Sequence, residues 1–272
     1  MRNRRSDFAM SKMRLTRFIC LSFLVTLLVS TTHGQTTHQP GSAVIEPRRV
    51  VLTRTSEVAR QFSDRKTAVV RYPMVKGIED AAVLHRVQQI LAVENAFGTT
   101  LKEYREDTWL TEFGYKVGYN KNYLLDVTFS QSGVGAYPDT HTKHFLIDLK
   151  RGAVIKATDA FNSGRLAALG ALVDERLQHE VHAIIQGFES DKDSAADRES
   201  LQSTFAELKF KEENLDEFSV SSRGITFLFD AGFPHAIQAL QPDGHYFFPF
   251  AKLQAYIKRD GPLGVFRAGN SK

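Results

Sequence analysis

Residues 115–161, YKVGYNKNYLLDVTFSQSGVGAYPDTHTKHFLIDLKRGAVIKATDAF, constrain the fold more than any other stretch. Leu125, Val127 and Phe129 alternate with Asp126, Thr128 and Ser130, and Phe145, Ile147 and Leu149 repeat the pattern. A period of two puts successive side chains on opposite sides of a strand, so this stretch buries one face as a β-meander. Tyr119-Asn120-Lys121-Asn122-Tyr123 reads as a hairpin turn, because asparagine tolerates the left-handed backbone. Lys150-Arg151-Gly152 turns the chain again into 153–156. The spacing predicts about four antiparallel strands, interrupted by an irregular loop at 133–141.

Helical spacing flanks the meander. A strand at 67–72 ends at Pro73, and Ile78, Ala81, Leu84, Val87 and Leu91 then predict a helix over 78–93, with Glu79 and Asp80 in its first turn. Phe97, Leu101 and Tyr104 form a second helical patch ahead of Trp109, the only tryptophan. Beyond the meander, Leu166, Leu169, Val173, Leu177, Val181 and Ile184 predict the longest helix, 166–186, ending near Gly187. A hairpin about Gly224, an aromatic strand over 246–250 and a short helix start at 251–257 complete the pattern. These blocks specify the α+β class: an antiparallel meander packed against helices, in two intimately associated halves, 64–164 and 165–262, with a tail at 263–272. Residues 35–63 are polar and carry Pro40, Gly41 and Pro47. They read as a flexible linker with one short strand at 50–53.

The N-terminus reads as an export signal. Basic residues lead into FICLSFLVTLLV (18–29), an apolar run of 12 residues, below the ~20 that a membrane-spanning helix needs. Thr32 and Gly34 then stand at the −3 and −1 positions of a cut before Gln35. The leader accounts for the net charge of +4, since residues 35–272 carry 29 basic and 30 acidic residues. No global attraction to nucleic acid remains. Cys20, the single cysteine, lies in the leader. The mature chain therefore has no disulfide, thiolate nucleophile or Cys-ligated zinc, and must hold together by core packing. An exported, periplasmic or secreted protein of a bacterial envelope fits these features.

Common catalytic engines are missing from the sequence. No Gly-x-Ser-x-Gly elbow occurs, and GVGAY lacks the further glycine and lysine of a phosphate loop. His141 and His144 flank a predicted strand at an odd spacing, which sends them to opposite faces. His179 and His182 share a helix face but have no third ligand, so a solvated face is the simpler reading. The acids of DKDSAADRE (191–199) lack the spacing of a calcium loop. Asp148 and Asp159 sit where turns and helix starts use carboxylates structurally. The aromatic and proline-bearing segments Ala136-Tyr137-Pro138-Asp139 and Phe233-Pro234-His235 remain, and such loops on a rigid scaffold are typical binding edges.

From Tyr72 onward, YP-x3-G, a helix, YKVGYNKNYLLDVTFS, GAYPDTHTKHFLIDLKRGAVIKATDAF, the long helix, FSVSSRGITFLF and HYFFPFAKL follow one another in a co-linear order. This order resembles the extracellular domain of the lysozyme-binding anti-sigma-V factor, which also precedes the catalytic domain of a peptidoglycan deacetylase. The resemblance spans about 67–257. It implies a strand–helix–meander portion followed by a helix–hairpin portion, and a domain that binds a lysozyme-like protein or peptidoglycan. The chain departs from the family pattern at Ala136-Tyr137-Pro138, where a small residue, His and Pro are usual. It departs again at Phe233-Pro234-His235-Ala236, where an apolar-Ala-Pro-Tyr run is usual. The family's sigma-binding segment, membrane span and deacetylase domain have no counterpart in the sequence.

The expectation is a non-enzymatic cell-envelope binding module without cofactor or metal. Its binding residues would be Tyr137, Pro138, Asp139, His141 and His144 around the meander loop, and Phe233, Pro234 and His235 further on. The alternative is a wall-glycan hydrolase or deacetylase working through Asp139, His141 and His144.

Overall fold

The period-two stretch folds into the centre of a mixed six-stranded sheet of order β1-β2-β3-β4-β5-β6. The structure is a computed structural model, described here for residues 41–189 and 203–267. The strands are β1 (Val44–Thr53), β2 (Thr67–Lys76), β3 (Leu110–Lys121), β4 (Leu124–Val134), β5 (Pro138–Asp148) and β6 (Ala153–Val154). All neighbours pair antiparallel except β2 and β3, which meet in parallel at Val69↔Glu112 and Val70↔Phe113. The helices α1 (Glu57–Gln61), α2 (Ala81–Ile90), α3 (Val93–Phe97) and α4 (Leu101–Glu106) connect the first three strands. The α+β expectation holds.

Alternation along the meander separates two cores. Leu125, Val127, Phe129 and Ile147 point to one face and pack with Val83, Val87, Leu91 and Tyr104 of the helices. Leu124 and Leu146 point to the other, where they join the short helix α5 (Ala157–Ala160), the long helix α6 (Leu166–Glu189) and a second sheet. That sheet contains β7 (Phe218–Val220), β8 (Gly224–Leu228) and β9 (His245–Pro249). Its inner face, Phe218, Val220, Ile225, Phe227, Tyr246 and Phe248, meets Leu169, Val173 and Leu177 of α6, all of them buried. Burying each large apolar side chain of this kind is worth roughly 1.5–3 kcal/mol. The aromatic cluster near the C-terminus is therefore mainly core, although Phe247 on the outer face is 44% exposed.

Local chemistry sets the boundaries. Asp80 is the N-cap of α2, its carboxylate accepting from the Ala82 and Val83 N–H groups at 2.8 and 3.0 Å. Thr100 and Glu103 form a capping box at α4. The β3–β4 turn comprises only Asn122 and Tyr123, at φ 56° and 61°. Tyr123 is held in this unusual conformation by its N–H on Gly41 O and by Leu149 N–H on its carbonyl. Lys150 Nζ also lies 4.6 Å from the centre of its ring.

Several expected boundaries change. The linker at 35–63 is overturned from Val44 onward, because β1 pairs with β2 along ten residues. As an edge strand it leaves Arg48 and Arg49 in solvent, which hides its strand character in the sequence. Strand β2 runs through Pro73, which stands directly opposite Pro47. The irregular loop at 133–141 shrinks to 135–137, the remainder being strand. Helix α6 passes through Gly187 to Glu189. The second core takes in Ala157, Ala160 and Phe161 of the expected first half and Leu263 of the expected tail, with Phe266 stacked on Phe250 at 4.1 Å. The leader with Gly34 and Gln35, and the charged segment at 191–199, lie outside the described residues.

Candidate functional site

The β4–β5 hairpin tip is organised around Trp109. Its N–H is held by Asp107 Oδ1 at 2.9 Å just after α4, and its carbonyl accepts from Val134 N–H at 2.9 Å. The indole then lies over Gly133 and Gly135, where the absent side chains leave room for it. The His141 ring stands beside it, 5.6 Å between centroids and tilted by 37°. His141 Nε2 lies 3.2 Å from Asp139 Oδ2, both side chains being about half exposed. Asp139 and His141 share a face of β5 because they are two residues apart.

A second group borders the tip. Arg65 Nη2 donates to Gly135 O at 3.5 Å, and its guanidinium lies 5.4 Å from the centre of the Phe62 ring. Phe62 and Tyr137 are 51% and 63% exposed. Solvated aromatic rings beside a guanidinium, an imidazole and a carboxylate are a composition common at contact surfaces.

Buried Arg54 ties these pieces together. Its guanidinium donates to Tyr104 O, Leu110 O and Arg65 O, clamping the end of β1 against the α4–β3 junction and the turn that carries Arg65. Burial lowers its pKa, partly offset by Asp107. Neither Arg54 nor Arg65 was identifiable in the sequence, where both fall in or beside a polar stretch.

His144 leaves the tip. It sits on the opposite face of β5, buried, with Nε2 3.1 Å from Asp126 Oδ2. The same carboxylate oxygen accepts from Val220 N–H at 2.8 Å, so Asp126 joins the meander to β7. Gly118 makes room for it, since a Cβ there would approach Asp126 Oδ1 to 2.7 Å. The proposed trio of Asp139, His141 and His144 is therefore not assembled, because odd spacing on a regular strand separates the histidines.

The second candidate group lies on the other core. Phe233 packs on Phe205 at 5.4 Å and donates its N–H to Gln241 Oε1 at 3.0 Å, whereas Trp109 packs on the first core. Pro234 precedes a 3-10 helix at His235–Leu240. Pro138 opens β5. His179 and His182 are solvent-exposed, and His182 pairs with Gln186 at 2.9 Å. Among the described residues no three His, Cys, Asp or Glu side chains form a group that could hold a metal ion. No helix among them is long and apolar enough to cross a membrane.

No family model matches the chain. No curated protein matches it either. Solved structures similar to it include two DUF3298-family proteins. A DUF3298-family member from Bacteroides fragilis NCTC 9343 is 15% identical, with a TM-score of 0.55 over 84% of this chain and 99% of that one. A DUF3298-family protein from Pseudomonas aeruginosa PAO1 is 14% identical, with a TM-score of 0.49 over 81% and 95% of the two chains. At such identity the first likeness establishes the α+β fold alone.

Proposed function

We infer that the chain is an exported cell-envelope binding module that performs no catalysis. Its ligand is a protein such as a lysozyme, or peptidoglycan, and its contact surface is the β4–β5 hairpin tip. One observation carries the reading: Trp109 lies over Gly133 and Gly135 with His141 against it and Asp139 beside His141, and the exposed Tyr137 and Phe62 and the half-buried Arg65 border them. The order of sequence blocks, which resembles the lysozyme-binding anti-sigma-V extracellular domain, supports it independently.

The test is retention of a purified lysozyme and of isolated peptidoglycan by the immobilised protein. Retention of one, weakened about tenfold by Tyr137→Ala or His141→Ala, is the expected result, as for a contact at the centre of an interface. Retention of neither ligand would overturn the reading.

A further inference from the structure

Four of the eight candidate residues stand on β5, and among the described residues most of the outer edge of that strand is unpaired. The β4–β5 register runs without a shift from Leu124↔Asp148 to Val134↔Pro138, so the ends of β5 fix the direction of each backbone group. Leu149 donates its N–H inward to Tyr123 O, and Leu146 O accepts outward from Ile155 N–H. Alternation then turns the N–H and C=O of Thr140, Thr142 and His144 outward. Thr140 agrees, donating its N–H to Asp139 Oδ1 at 2.7 Å rather than to β4.

Among the described residues little covers this edge. Strand β6 pairs only with Ile147 and Asp148, and His144 is buried. Thr140 and Thr142 are exposed. Among the described residues nothing is bonded to the outward N–H and C=O of Thr142. Natural sheets usually blunt such an edge with proline, charge or a covering element. Here Pro138 and the Asp139 clip guard its first residues, and the Lys143–Glu217 ion pair at 3.0 Å crosses its far end. Thr142 stays bare between them.

We propose that residues 139–143 accept an added β-strand from a protein partner. The incoming segment pairs its backbone with Thr142 and displaces the Asp139 clip from Thr140. Its alternate side chains lie beside Thr140 and Thr142 on one face and beside Asp139 and His141 on the other. The freed Asp139 carboxylate selects a lysine or arginine in the segment, and Thr142 selects a β-branched neighbour. A glycan carries no array of N–H and C=O groups at strand spacing, so the edge favours protein over peptidoglycan. This deepens the binding role proposed above and rests on it.

Thr142→Pro isolates the edge. Proline removes the outward N–H and obstructs an incoming strand, while every β4–β5 hydrogen bond is spared. Random decapeptides displayed on phage are panned on the full wild-type protein. The expected outcome is peptides that bind at least tenfold more weakly to Thr142→Pro, whose circular dichroism matches wild type. In wild type, the Thr142 amide should exchange freely alone and become protected with peptide, a readout that does not depend on the variant folding. No enrichment, equal binding to both proteins, or an amide unprotected in the complex would overturn the proposal. Protection that grows with protein concentration alone would also overturn it, by assigning the edge to a second copy of the chain. Lysozyme and peptidoglycan are assayed in parallel. Their retention with no effect of Thr142→Pro defeats the edge and leaves the envelope reading standing. Edge-dependent peptide binding with neither retained defeats the envelope reading alone.

Discussion

Gly133 and Gly135 have different tolerances although both lie beneath the same indole. A Cβ on Gly133 would strike the Trp109 carbonyl and come within 2.6 Å of Cε2, whereas one on Gly135 would rest at 3.5 Å from Cδ1. Gly133→Ala should therefore destabilise the protein by about 1–3 kcal/mol through overpacking, with a shifted tryptophan emission. Gly135→Ala should stay within about 0.5 kcal/mol. Urea unfolding followed by fluorescence measures both, and equally small effects would show that the ring is not confined. This site was half legible in the sequence. Tyr137, Asp139 and His141 were found from loop chemistry, but Trp109 was recognised only as the sole tryptophan. Its place over the glycines depends on cross-strand register, which residue types alone do not encode.

At the scale of elements, the meander and the second sheet are joined by a buried polar contact. Asp126 and His144 lie on the face that alternation assigned to polar residues, where solvent was the expected neighbour. Strand β7 covers that face instead, so the carboxylate becomes the acceptor for both His144 and Val220. Asp126→Ala leaves a buried imidazole and a buried N–H without their partner and should cost about 3 kcal/mol. Asp126→Asn, which keeps an acceptor for Val220, should cost less. Calorimetry on both variants decides, and equal melting temperatures for wild type and Asp126→Ala would refute the joint. Strand β1 was read only at its last four residues, 50–53, for a related reason. A solvated edge strand carries charges like those of a linker, and only its partner β2 distinguishes the two.

Across the whole molecule, helix α6 is tied to β9 by one phenol. Tyr246 donates to Glu180 Oε2 at 2.9 Å, and Asp243 N–H donates to Glu180 Oε1 at 2.6 Å. Burial first, then the Glu180 hydrogen bond and nearby acidic charge, raise the Tyr246 pKa far above its ordinary value of 10.0. The folded state thus holds this proton more tightly than the unfolded chain. The resulting stability is complete below about pH 10 and falls as pH rises beyond it. Tyr246→Phe should lose about 1 kcal/mol at pH 7 and show a shallower fall in melting temperature between pH 9 and about 11. Identical alkaline slopes in the two proteins would contradict this linkage.

By itself the sequence determined the α+β class, the meander, the long helix and most of the buried apolar set. Each of these follows from short-range periodicity, which alternation and helical spacing write directly into the chain. The tertiary structure decided what covers each face of the meander and which strand edges remain open. It also decided which of two histidines three residues apart meets the tryptophan and which meets a buried aspartate. Those outcomes depend on segments far apart in the chain packing against one another, and no local pattern records them.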